Sequence, residues 1–431
     1  MSEWLSRVAI LTLGVVALAG GWFLPPPPPI EPSSVPAPAA DPYAVCPLAI
    51  AGGGFDGRVG IVTDTDLSGQ LGAVGRERSR TPFEVGSGEG FALEVGTLAE
   101  VGISPILIES AAGSIGQLVA AIYDRAGGVP ALAGCSPASS SPVALLGLAT
   151  NAGEGSSLVI TNPFAAEATV TLVGSSEFGP DTPSDLEAVR IPANSTIELV
   201  LDQTMAGREQ LGFTLQPDTG LVVAGMIRSG PDTAISEAIV GGRQWHVALP
   251  DFGIDGQLIV RSLTAVDSAF RIDRIDPTGL TDGVESGSLA PGEQLVFSVQ
   301  EMGGSEGGFI VNAEEDVAVA IVYAGDELRT VSAAAATTAG QWLVPVSAAG
   351  AEGENAFWIL NPEETDTTAS IQVFGGTSAP QEIELPAGST AGFVVGLNGA
   401  GASITAGHPV AVFHGVLNGA RASMTPAFPL D

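Results

Sequence analysis

The chain of 431 residues carries 15 basic side chains, every one an arginine, against 48 acidic ones, for a net charge of −33 at pH 7. Such a surface repels phosphate backbones and excludes nucleic acid as a partner, while the missing lysine excludes Schiff-base and Walker-type phosphate chemistry. Hydrophobic residues reach 45%, too many for global disorder, and the abundant glycine and proline suit short strands joined by turns.

The first element in chain order is the apolar run of residues 8–24, VAILTLGVVALAGGWFL. As a helix it spans about 25 Å, close to the hydrocarbon thickness of a bilayer. Trp4 and Trp22 sit near either end, and Arg7 precedes the run, which sets the amino end in the cytoplasm and the body outside. Residues 1–24 are therefore expected to be a short cytoplasmic stub and a transmembrane signal-anchor. The alternative is a secreted body released by cleavage near Pro38-Ala39-Ala40. Residues 25–42, PPPPPIEPSSVPAPAADP, form a proline-rich stalk that polyproline II geometry would extend to about 55 Å.

The remainder shows a degenerate repeat. A proline- or glycine-bearing turn followed by an alternating strand recurs as VGSGEGFALEV, IPANSTIELVL, LAPGEQLVFSV and LPAGSTAGFVV, beginning at Val85, Ile191, Leu289 and Leu385. Each is followed by a nearly continuous apolar strand, and GQLVAAIY near Gln117 belongs to that set as strand rather than helix. Strands ending in Asn162-Pro163 and Asn361-Pro362 precede two of these units, since Asn-Pro closes a strand with a turn. Arg58 opens the matching piece of the first unit, and Arg261-Ser262 stands where the third should carry Asn-Pro. Units of this length suit small antiparallel sandwiches. The expected fold is all-β: tandem immunoglobulin-like sandwich modules at 43–134, 135–243, 244–340 and 341–431, set in an elongated array. In the fourth, Phe357 and Ile359 share one strand face opposite Ala356, Trp358 and Leu360, and a late strand is entered through Gly407 and Pro409.

Cys46 and Cys135 are the two cysteines, 89 positions apart. That spacing is one module, so in an exported chain they are expected to form a disulfide closing the first module; a pair of free thiols is the alternative. The anchor, the stalk, Cys46-Pro47 and the stretches SLVITNPF and WILNPE together resemble an uncharacterised family of secreted or membrane-anchored actinobacterial proteins with repeated β-rich modules. The resemblance implies a large secreted protein of unassigned function and brings no catalytic residues.

The search for chemistry is sparse. His408 and His414 are too far apart along one strand for a shared metal, and His246 beside Trp245 reads as a packed boundary residue. No HExxH or G-x-S-x-G motif occurs. Asp64 and Asp66, and Asp273, Asp276 and Asp282, are oxygen-rich turns that calcium could use, though neither matches the twelve-residue calcium loop and both read first as solvated turns. Asn194-Ser195-Thr196 matches a glycosylation sequon and reads as a turn. No catalytic, cofactor-binding or metal residues are assigned. The expectation is a non-enzymatic, membrane-anchored extracytoplasmic scaffold or binding protein, its partner an envelope protein or glycan; the alternative is an envelope hydrolase acting on glycan through carboxylates at a module junction.

Overall fold

Polar–apolar alternation broken by glycine and proline leaves little material for helix. In the computed structural model the described residues are 67% strand and 3% helix, and no helix among them reaches seven residues. The structure describes residues 43–430 apart from 53–54, 76–79, 99–101, 112–118, 126–130, 231–232, 277–278, 305, 326–327, 345–353, 375–378, 396–400 and 419–420. The apolar run 8–24 and the stalk 25–42 lie outside the described residues. Among the described residues no helix is long and apolar enough to cross a membrane. The segment near Gln117 is the strand Val119–Arg125, in agreement with its place in the repeat.

The sheets are antiparallel and take their strands from successive quarters of the chain. The first quarter supplies a four-stranded sheet beginning with Tyr43–Cys46 and a six-stranded sheet around Phe55–Thr63. The second supplies a six-stranded sheet around Leu211–Thr219 and a four-stranded sheet around Gly155–Asn162. In the third and fourth quarters one long strand, Gly307–Ala324 or Ala402–Asn418, runs through both layers. The early part of Ala402–Asn418 pairs with Ala339–Val344 and Thr367–Val373, and its late part pairs with Glu354–Asn361 and Arg421–Pro426. Gly407 and Pro409 therefore lie inside a strand rather than at its entrance. They mark the passage from one layer to the other, where the ladder does not need the proline's missing N–H.

Each quarter also closes on itself, because its end returns to its first strand. Val45 exchanges backbone hydrogen bonds with Ser136, and His246 does so with Ala335. Val143 and Ala144 pair with Ile239–Val240, and Trp342 and Leu343 with Phe428–Pro429. In the first quarter the closure is covalent as well, since Cys46 and Cys135 form a disulfide. Cys135 thus sits at the end of the first quarter's path, beside its first strand.

The apolar alternation turns inward as read. Phe357 and Ile359 are fully buried in the fourth quarter's core, while Leu360 and Trp358 face the third quarter. Residues 41–431 pack as one compact unit. Four equivalent strands, Ala131–Gly134, Thr233–Glu237, Arg329–Ala333 and Arg421–Pro426, touch in a closed circuit, the last against the first. The Leu132 N–H donates to Ser423 Oγ at 2.8 Å across that last contact. The quarters do not form the expected open array: the strand contact that links neighbours also links the fourth to the first, and a head-to-tail arrangement whose rotation closes makes a circuit.

Candidate functional site

The residues singled out by the sequence are placed here by what they touch. Asn162 and Asn361 are almost completely buried and do identical work. Asn162 Nδ2 donates to the carbonyls of Ala166, Ile191 and Pro192 at 2.7, 3.2 and 3.2 Å, and its Oδ1 accepts from Phe164 N at 3.0 Å. Asn361 Nδ2 donates to Thr365, Leu385 and Pro386 at 2.9, 3.2 and 2.9 Å, and its Oδ1 accepts from Glu363 N at 3.2 Å. The Asn-Pro turn and the Pro-Ala turn, two separate motifs in the sequence, are thus halves of one latch. In the first quarter Thr63 makes a local turn instead, donating to Thr65 O at 2.7 Å. In the third, Ser262 Oγ accepts from Thr264 N at 3.4 Å.

The residue immediately before each of these four positions is read from the same register, and in three of the four it crosses into a neighbouring quarter. Val62 enters the fourth quarter, where it packs with Leu343, Phe374, Phe428 and Leu430. A methyl group added at Gly401 would meet Val62 Cγ2 at 2.6 Å. Leu360 seats in the same way against Gly308 of the third quarter. Arg261 enters the second quarter. Its Nε donates to Thr214 Oγ1 at 2.8 Å, one terminal nitrogen donates to Ser175 Oγ, and the other donates to Val173 O at 2.7 Å. These partners are neutral, and burial pulls the guanidinium down to about 10. Thr161, the remaining member, stays within its own quarter by hydrogen bonding Thr196 at 3.2 Å, and the first joint is instead filled by Leu48 against Gly225.

Glu237 stands where three quarters meet. One carboxylate oxygen accepts from Gly134 N at 2.9 Å and the other from Thr425 Oγ1 at 3.5 Å. Part of the side chain is still reached by solvent, but protein packs densely around the carboxyl group, and burial raises its pKa.

The histidines do not converge. His246 is buried within the first strand of the third quarter, Gly242–Leu249, with its Nδ1 unpartnered, and burial pushes it down to about 4. His414 is buried against Phe357, hydrogen bonds Asn355 Oδ1 through Nε2 at 3.1 Å, and is pushed down to about 3 by burial. His408 lines a shallow hollow of about 510 Å³ with Asp366 and Glu384. Among the described residues no three His, Cys, Asp or Glu side chains gather as a metal site. Asp66 accepts from Ser87 N at 3.0 Å, and buried Asp273 accepts from Gly283 N at 2.7 Å and pairs with Arg271 at 2.8 Å, so both serve their own turns. Asn194 takes a left-handed φ of 48° in a turn, as its sequence neighbours suggested.

A cleft of about 390 Å³ opens between the third and fourth quarters, lined by Asp251, Phe252 and Glu306 on one side and Trp358, Val394 and Leu417 on the other. Sequence reasoning missed it. Trp358 was read only as the back of a strand, and nothing local ties it to the loop at Phe252.

No family model and no curated protein sequence matches the chain. Among solved structures, one similar chain is a tetra-tandem repeat from the extending region of a large adhesion protein, at 9% identity over 91% of this chain and all of that one, with a TM-score of 0.12.

Proposed function

We propose that the chain is a non-enzymatic scaffold or binding protein of the bacterial envelope, of the secreted or membrane-anchored actinobacterial kind. Residues 8–24 anchor it, residues 25–42 hold it off the membrane, and modules at 43–134, 135–243, 244–340 and 341–431, each an immunoglobulin-like sandwich, make its body. Its place is supported by the Cys46–Cys135 disulfide, a bond that persists in oxidising compartments. Its role rests on one observation above others: the buried polar side chains Asn162, Asn361 and Arg261 and the partly buried Glu237 are engaged in joining strands and quarters, which is the chemistry of a scaffold. Its partner is an envelope protein or a glycan. The test is fractionation followed by pull-down of the intact protein from envelope membranes. Recovery in the membrane fraction with no free thiol and with a bound envelope component is expected. A cytoplasmic protein with two reactive thiols would contradict the reading.

The second reading is a glycan hydrolase with carboxylates at a module junction. Asp251 and Glu306 on one inter-quarter cleft favour it. Release of reducing ends from envelope glycan, lost in Asp251→Asn and Glu306→Gln, would establish it.

A further inference from the structure

We infer that the cleft between the third and fourth quarters binds a small organic cation of the quaternary-ammonium type, an inference that rests on the binding-protein reading above. The argument starts with Trp358, which lies on the outer face of the central strand Glu354–Asn361. Its two strand neighbours contribute glycines on that face. A methyl group added at Gly392 would meet indole Cδ1 at 3.1 Å, and one added at Gly415 would meet Cζ3 at 2.7 Å. The indole therefore lies across three strands, with one edge over Gly392 and the other over Gly415. Larger residues at either glycine would lift it. An indole fixed in this way keeps a π face turned to the cleft at little entropic cost.

The second wall is Phe252. Its ring stands at 85° to the indole with centroids 6.3 Å apart, and it is itself held edge-to-face by buried Tyr323 at 4.9 Å. Two rings at right angles form a corner, the arrangement in which a compact cation meets two π faces at once. The polar lining has one sign. Asp251 and Glu306 border the corner, among the described residues no arginine or histidine lines the cleft, and the −33 net charge draws cations toward any such hollow. Asp251 is oriented by accepting from Gly253 N at 2.9 Å. The cavity volume is that of a small-molecule site. An anion is repelled here. A neutral sugar could hydrogen bond the carboxylates through its hydroxyls, but it carries no net charge for the acidic field to draw in.

The discriminating experiment is calorimetric titration of the disulfide-bonded protein with choline and with 3,3-dimethylbutan-1-ol, its neutral isostere. A neutral oligosaccharide of envelope type is run in parallel. Choline is expected to bind about tenfold or more tightly than the isostere, and to weaken as salt rises from low to physiological strength. Glu306→Gln, an exposed change that leaves the fold intact, should weaken choline about three- to tenfold and leave the isostere unaffected. Trp358→Leu should abolish binding, with thermal unfolding run alongside to show that the variant is folded. Phosphatidylcholine vesicles against phosphatidylglycerol vesicles separate a lipid headgroup from the free solute as the source of the cation. Equal affinity for choline and isostere, no saturable choline binding, or binding of the oligosaccharide alone would overturn the inference. A protein that still captures an envelope partner while ignoring choline would lose this inference and keep the binding role.

Discussion

Arg261 and Leu360 occupy the same register position in successive quarters, and each crosses into the quarter before it. One does so with a buried charge and three neutral hydrogen-bond acceptors, the other with a hydrocarbon plug against a glycine. Fully burying the leucine stabilises by about 2–3 kcal/mol. The arginine must first offset the cost of desolvating its charge, which its lowered pKa registers, and its three charge-assisted bonds do this. The comparison teaches that the joint is defined by backbone geometry and by what the receiving face lacks. The residue that fills it can change class completely, and so the repeat is faint in sequence while regular in space.

The largest effects should come from breaking these joints. Arg261→Ala is expected to cost about 3–5 kcal/mol in denaturant unfolding, because it leaves a cavity and three orphaned acceptors. Arg261→Met fills the space, removes the buried charge and should cost about 1–2 kcal/mol. Equal losses in the two variants would mean that the hydrogen bonds of the guanidinium, and not the volume it fills, carry its contribution; no loss in the methionine variant would mean that it acts only as filler. The covalent closure comes next: Cys46→Ser should lower stability by about 2–5 kcal/mol through the loop of 89 residues that the bond closes. The latches are smaller. Asn361→Ala should cost about 2–3 kcal/mol, because three backbone carbonyls lose their donor, whereas Thr63→Ala at the equivalent place should cost about 1 kcal/mol.

The buried ionisable groups predict two opposing pH effects. His246 and His414 are held neutral in the fold, with pKa values of about 4 and about 3. The unfolded chain therefore takes up protons first, and stability should fall as pH drops below the ordinary histidine value toward 4. His246→Leu should flatten part of that fall. Glu237 has the reverse sign. Its raised pKa means that the folded chain holds the proton more tightly, so its contribution is full below the ordinary carboxylate value and is lost as pH rises through the folded pKa. Glu237→Gln should remove that component and leave the histidine component untouched. Denaturant midpoints measured from pH 4 to 8 separate the two.

Much of the strand plan is legible in the sequence, because alternation and proline-marked turns are local signals. The strands at Glu354–Asn361, Thr367–Val373, Gln381–Leu385 and Ser389–Val395 fall where the pattern puts them. The spacing of Cys46 and Cys135 likewise foretells their bond. What escaped depends on distance in the chain. Asn361 announces a turn, but not that its amide also reaches Pro386. Arg261 looked like a departure from the pattern because its partners Ser175 and Thr214 lie in another quarter. The closed circuit and the Trp358 cleft were invisible for the same reason: each needs residues from quarters whose relation no local period encodes.

The central claim is that the fourth quarter meets the first by the same joint that links the third to the fourth. Paired cysteines test it directly. Val62→Cys with Gly401→Cys spans the closing joint, and Leu360→Cys with Gly308→Cys spans its equivalent as a control for the chemistry. Both receiving positions place a new Cβ against the opposing side chain, within reach of a disulfide. After mild oxidation of the folded protein, peptide mass mapping should find both new bonds, each formed within one molecule and without loss of Cys46–Cys135. A bond at 360–308 with free thiols at 62 and 401 would show that the four quarters form an open chain, and would contradict the closed circuit.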